Sequence, residues 1–169
     1  LMDGFLPRNV AHEDWDLDGL REAVAKDFTA EVDPEAWLAA DAELDEGALR
    51  QRVLDAVDAT YQTKFERYGD ELMKHVEKDI MMRTLDQHWR DHLGAMDYLR
   101  QGIHLRGYAQ KDYRYEYKRE AYELFSNMLD RVKFDTASML TRIEIRTEAD
   151  LQREEEERPS RLMAALEIR

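Results

Sequence analysis

An all-α fold, with a small helical unit leading into a long antiparallel helical hairpin, is predicted by three features of the 169-residue sequence. Charged residues make up 37% of it while Gly 7 and Pro 3 are scarce, a balance that suits solvated amphipathic helices and leaves few turn residues for a β sandwich. Apolar side chains recur every three or four positions along most of the chain, which is the period of a helix. Two such stripes, each many turns long, flank one short interruption containing Gly107, the pattern of two helices folded back on each other.

After a loop around Pro7, Leu17, Leu20, Val24 and Phe28 mark a short amphipathic helix, with Asp14 or Asp16 placed to cap its first amides. Asp33-Pro34-Glu35 opens a second short helix through Ala36-Trp37-Leu38, since proline suits the first helical position and an acid suits the positive end of the helix dipole. Asp45 caps a third helix, on which Leu49, Val53, Val57, Tyr61, Phe65 and Tyr68 keep helical spacing as far as Gly69. Gly69 is the expected domain boundary, separating residues 1–69 from 70–146.

Leu72, Val76, Ile80, Leu85, Trp89, Leu93, Met96, Leu99 and Ile103 trace the first long stripe, about nine turns or ~45 to 50 Å. Residues 104–112 interrupt it, with Gly107 free to take a positive φ and Asp112 placed to cap the next helix. Tyr117, Ala121, Leu124, Met128, Val132, Thr136, Met139 and Ile143 form the second stripe, so residues 104–112 are the expected tip of the hairpin. Residues 147–169 read as an acidic linker through Glu154-Glu155-Glu156-Glu157, then Pro159 and a short apolar segment, Leu162-Met163-Ala164-Ala165-Leu166.

Charge narrows the function. The net charge is −13, and residues 1–69 hold 7 basic against 17 acidic side chains. Such a chain is a poor general binder of phosphate backbones. Residues 99–120 reverse the balance, with Arg100, Arg106, Lys111, Arg114, Lys118 and Arg119 against Asp112, Glu116 and Glu120. A basic patch at the hairpin tip could meet an anionic surface, although a solvated helix end accounts equally for these charges. With Cys 0 there is no disulfide, thiolate zinc site or cysteine nucleophile, and a cytosolic setting is expected. No apolar run approaches the roughly 18 residues of a spanning helix, and the first five residues lack the basic start of a signal peptide.

Candidate chemistry is sparse. His88 and His92 stand at i and i+4, a metal-binding spacing, but Trp89 occupies the place of the zincin glutamate, so partly exposed helix histidines are the better reading. Trp89 and Met96 fall on the apolar stripe and are expected in the core, with Tyr98 beside them. Tyr113, Tyr115 and Tyr117 alternate with Arg114 and run up to Lys118, a pattern able to stack bases, which the net charge opposes. Phosphate-loop, nucleophile-elbow and dinucleotide motifs are all missing, so neither catalysis nor a cofactor is expected. Tyr108, flanked by Gly107 and Ala109 on a turn, is better placed to touch a partner than to be buried.

The run Leu85-Asp86-Gln87-His88-Trp89-Arg90-Asp91-His92-Leu93, with Met96-Asp97-Tyr98-Leu99-Arg100-Gln101-Gly102-Ile103-His104-Leu105-Arg106-Gly107-Tyr108-Ala109-Gln110-Lys111-Asp112 and Glu116-Tyr117-Lys118-Arg119-Glu120, closely resembles the SecA preprotein translocase ATPases. The resemblance runs from about Phe5 to Arg146 and covers the C-terminal part of that motor. It implies that residues 1–69 are a helical wing domain and residues 70–146 a helical scaffold with a two-helix finger. The finger tip, Leu105, Arg106, Gly107, Tyr108, Ala109, Gln110 and Lys111, would contact the SecY channel and the translocating preprotein, with Tyr108 gripping the moving chain and Arg106 and Lys111 seating the tip.

The resemblance also implies restraint of ATP hydrolysis by nucleotide-binding domains that would precede Leu1, where the parent's ATP and magnesium would bind. The setting would be the cytoplasmic face of the bacterial inner membrane, with anionic lipids as further partners. Tyr113 stands where the family usually has proline, the family's cysteine-bearing zinc tail is missing, and the final dozen residues match nothing familiar. Separation from the first scaffold helix would bare apolar surface, so self-association is expected unless the 162–166 segment covers it. The alternative functions are an anionic-lipid or nucleic-acid binding module at residues 100–119 and, far behind, a metallohydrolase using His88 and His92.

Overall fold

The computed structural model describes residues 2–7, 14–41, 43–106 and 113–146. They form a 3-10 turn at Met2–Gly4 and five helices, α1 Leu17–Phe28, α2 Pro34–Ala40, α3 Glu46–Tyr68, α4 Asp70–Arg106 and α5 Tyr113–Arg142. No strand occurs among the described residues.

A carboxylate caps each of the first three helices. Asp16 Oδ1 accepts from the Gly19 amide at 2.9 Å, Asp33 Oδ1 from Ala36 at 3.0 Å and Asp45 Oδ1 from Ala48 at 2.7 Å, satisfying first-turn amides that have no partner within the helix. Of the two candidates for the first cap, Asp16 takes the position. Pro34 opens α2, where its fixed φ is helical and its missing N–H leaves nothing unpaired.

Helices α1 to α3 close an apolar core of their own. Leu6, Leu20, Val24 and Leu49 are fully buried there with Trp15, Val32, Leu44 and Val53 beside them, and Phe5, Phe28 and Trp37 pack on the rim. Arg50 ties the N-terminal segment onto α3, donating from Nη2 to Leu6 O at 2.8 Å and pairing with Asp3 at 2.8 Å and Glu46 at 2.6 Å. Every residue of this cluster lies at or before Val57, and at its rim Phe28 also meets Phe134 of the hairpin edge to face.

Gly69 is the whole connection between α3 and α4. Its φ of 82° and ψ of 153° lie where essentially no side-chain-bearing residue goes, which explains why a glycine stands there. Beyond it α4 runs for 37 residues, about 55 Å, and the 30-residue α5 returns along it. Thr84 faces Met139, His88 faces Asp135 and His92 faces Phe125, so numbers rise on one helix as they fall on the other and the pair is antiparallel.

The buried line on α4 meets the apolar stripe at Leu99 and Ile103 and departs from it elsewhere. Met73, Thr84, Leu99 and Ile103 are buried, whereas Leu72, Trp89 and Leu93 are exposed, Trp89 with 44% of its surface accessible. Trp89 is therefore a flank residue and not a core one. The reason is that α4 carries apolar residues along two lines, one against α5 and one beside it, and periodicity sums both. On α5, Met128 is buried as expected, but near the base Ser138 and Thr141 are buried while Met139 is exposed. These hydroxyls tolerate burial because each has an acceptor, Ser138 Oγ donating to Asp27 O at 2.6 Å and Thr141 Oγ1 lying 3.0 Å from Ala137 O.

One brace crosses the Gly69 joint. Tyr61 Oη donates to Glu77 Oε1 at 2.6 Å, and the Tyr61 ring meets Phe65 edge to face at 5.3 Å. Burial, reinforced by the hydrogen bond to Glu77 and its negative charge, pushes the phenol pKa far above its ordinary value of 10.0. The folded state therefore holds this proton at pH values where the unfolded chain releases it, so the stabilisation is complete below pH ~10 and falls as pH rises above it. Denaturation midpoints measured between pH 9 and 11 should fall more steeply for the parent chain than for Tyr61→Phe. Parallel pH curves would show that Tyr61 is not the group responsible.

Candidate functional site

The hairpin tip is the candidate site, and its two flanks are built by the last turns of α4 and the first turns of α5. The helix α4 runs through Arg106, so His104, Leu105 and Arg106 belong to its final turn and not to the expected loop. Nothing in those three residues breaks a helix. Gly107, Tyr108, Ala109, Gln110 and Lys111 lie outside the described residues. Tyr113 begins α5, so the tyrosine at the family's proline position is compatible with a helix start there.

Below the tip, Leu99 and Ile103 are buried in the seam between the helices. To one side a groove of about 390 Å3 runs between Tyr98 and Gly102 on α4 and Arg119, Glu123 and Asn127 on α5. Tyr98 at its edge is 80% exposed, and Tyr113, Tyr115 and Tyr122 on α5 are exposed as well. An aromatic body with a polar end suits contact with a partner that is partly apolar and partly polar.

Two of the basic side chains are paired along their own helices. Arg100 pairs with Asp97 at 3.2 Å and Arg119 with Glu116 at 2.6 Å, both one helical turn away. Arg114 Nε lies 3.3 Å from Tyr113 Oη, its guanidinium 5.8 Å from the ring centroid. Such exposed pairs contribute under about 1 kcal/mol each to stability, and of the two carboxylates only Asp97 lies outside residues 99–120.

The two histidines are engaged across the hairpin. His88 Nε2 lies 2.6 Å from Asp135 Oδ2, while the His92 ring sits between Trp89 at 5.6 Å and Phe125 at 5.9 Å between centroids. Both are half-buried, as read from the sequence. Among the described residues no three His, Cys, Asp or Glu side chains are gathered to hold a metal ion. Asp135 was not singled out from the sequence, because its partner is set by the register of two helices and no local spacing reports that. On this flank Met82, Trp89, Leu93, Phe125 and Leu129 are all exposed. None of the described helices is long and apolar enough to cross a membrane.

The family model for the SecA wing and scaffold domain matches residues 1–144, spanning both the small helical unit and the hairpin. The chain belongs to the SecA family. It is 46% identical over 158 residues to the protein translocase subunit SecA of Nitrosococcus oceani, covering 94% of this chain and 18% of that protein. It is 47% identical over 151 residues to the protein translocase subunit SecA of Chromobacterium violaceum, covering 89% of this chain and 17% of that one. The chain thus spans less than a fifth of the length of these SecA relatives. Within SecA the helices here are those of a wing and scaffold, and the match ends just after α5.

Proposed function

We propose that this chain is the wing and two-helix finger of a SecA-type protein-export motor, with residues 1–69 as wing and 70–146 as scaffold and finger. The observation that carries the reading is a single family match running through the small unit and both long helices, α4 ending at Arg106 and α5 starting at Tyr113 and returning along it. The finger tip, Leu105 to Lys111 with Tyr108 at its centre, contacts the SecY channel and the translocating preprotein. Tyrosine suits that task, since a large, stiff, amphipathic side chain grips varied sequence at small entropic cost. The same region restrains ATP hydrolysis in nucleotide-binding domains elsewhere in the parent, which hold ATP and magnesium, at the cytoplasmic face of the inner membrane.

The test is photo-cross-linking from position 108 in the intact parent, with channel, nucleotide and a stalled preprotein present. Adducts to the preprotein or the channel mouth are expected, and Tyr108→Ala should slow transport by tenfold or more, the scale of losing an aromatic anchor. Transport proceeding with neither adduct would remove the tip from the path of the moving chain.

The exposed flank of Met82, Trp89, Leu93, Phe125 and Leu129 makes self-association of the isolated chain the expected behaviour. Light scattering should show a mass that rises with concentration. A monomer mass at all concentrations would refute it.

A further inference from the structure

The buried cluster of the small helical unit is drawn wholly from residues up to Val57, so the way the unit is joined to the hairpin decides whether the two move as one. The covalent joint is Gly69, whose Cβ position is open to solvent, with nothing within 4 Å. Its amide still donates to Phe65 O at 2.8 Å and its carbonyl accepts from Met73 at 3.1 Å, so one residue closes α3 and opens α4.

A second, non-covalent joint lies where α1 and α5 both end. Each helix finishes with carbonyls that have no partner in its own ladder. Ser138 Oγ on α5 donates to Asp27 O in the last turn of α1 at 2.6 Å. Thr29 Oγ1, directly after α1, donates to Thr141 O in the last turn of α5 at 2.8 Å. Each helix therefore supplies the hydroxyl that caps the other. Beside them Lys64 Nζ reaches Ile143 O at 2.5 Å, and Phe28 meets Phe134 edge to face at 5.5 Å.

Thr29 reaches across at φ 52°, and among the described residues it is the one non-glycine with a positive φ. A β-branched side chain in the left-handed region is strained, and such strain persists where the surroundings hold it. Its hydroxyl also lies 2.7 Å from Phe28 O, so its single proton has a local acceptor when the bond to α5 opens. In the structure the hydroxyl lies within hydrogen-bond distance of both carbonyls, one across the joint and one at home.

We propose that Thr29 and Ser138 form a latch and Gly69 a hinge, which hold the helical unit against the base of the hairpin and release it to swing with its buried cluster, Leu6 to Val53, intact. The device stands on these contacts alone and is independent of the transport reading. Because the chain has Cys 0, spin labels can be placed cleanly at Glu22→Cys on α1 and Lys133→Cys on α5, both exposed, and the distance distribution measured in the full chain.

The parent should give one narrow distance. Thr29→Ala and Ser138→Ala should each raise the population at other distances about fivefold, the factor that one lost hydrogen bond supplies. Thr29→Ser, which keeps the hydroxyl, should stay narrow. Unchanged distributions in both alanine variants, a Thr29→Ser variant as broad as Thr29→Ala, or a broad parent would each overturn the latch. Far-UV circular dichroism confirms that the variants remain helical, and if Thr29→Ala does not, Ser138→Ala decides the outcome.

Discussion

Leu49→Ala is expected to destabilise the N-terminal helical unit by about 2 to 5 kcal/mol. Leu49 is fully buried against a cluster that includes Leu6, Leu20 and Val53. The cavity left by truncation has little freedom to collapse, because Asp45 fixes the start of α3 and Arg50 fastens Leu6 to its flank. A cluster of nine buried residues supports a small unit, and small units have little stability in reserve. The loss should therefore unfold a measurable fraction of the unit at room temperature. Urea denaturation followed by Trp15 and Trp37 fluorescence, in a background where Trp89 is replaced by Phe, reports on this unit alone. Leu54→Ala is the control, since Leu54 is on the same helix and 49% exposed, and its cost should stay within about 0.5 kcal/mol. Equal shifts for the two variants would mean that the core is not where these contacts place it.

The first half of the fold was legible because its signals are local. Asp33-Pro34 and Asp45 announce helix starts within four residues, and Leu20, Val24, Leu49 and Val53 lie on helices with a single buried face, so periodicity and burial coincide. Gly69 was legible for the same reason, since a lone glycine between two helical patterns marks a break. The hairpin was legible in outline and not in detail. Its long α4 carries two apolar lines, and the sequence contains no record of which one meets α5. Thus Trp89 read as core and is exposed, while Thr84, Ser138 and Thr141 did not read as core and are buried.

The candidate site divides in the same way. The tip is visible in sequence because Gly107 breaks a long helical pattern. The ion pairs of Arg100 and Arg119 were also within reach, since both partners stand three residues away, yet counting charges by segment concealed Asp97 just outside the window. What sequence could not supply is every contact that crosses between elements. Asp135 with His88, Ser138 with Asp27 and Thr29 with Thr141 are separated by 47, 111 and 112 residues. No spacing rule connects positions so far apart, and the joint between the two units is made almost wholly of such contacts.

Gly69→Ala is expected to cost about 1 to 3 kcal/mol, and the cost should come from the backbone alone. At φ 82° and ψ 153° an L-residue is strained whatever surrounds it, and with nothing within 4 Å of the Cβ position no clash contributes. The chain has two ways to respond. It can keep its geometry and carry the strain, or it can let α3 run straight into α4, which would pull the helical unit off the base of the hairpin. The second route breaks the bonds of Thr29, Ser138, Lys64 and Tyr61, each contributing about 1 kcal/mol net, and so costs more than the strain it relieves. The strain should therefore be carried in place, visible as a melting temperature lower by about 2 to 12 °C with helix content unchanged. Gly69→Asn separates this account from a simpler one. Asparagine tolerates the left-handed helical region, where ψ is near 47°, but gains nothing at ψ 153°. Asparagine should thus be as costly as alanine, and a mild Gly69→Asn beside a costly Gly69→Ala would place the joint in the left-handed helical region and remove the geometric basis of the hinge.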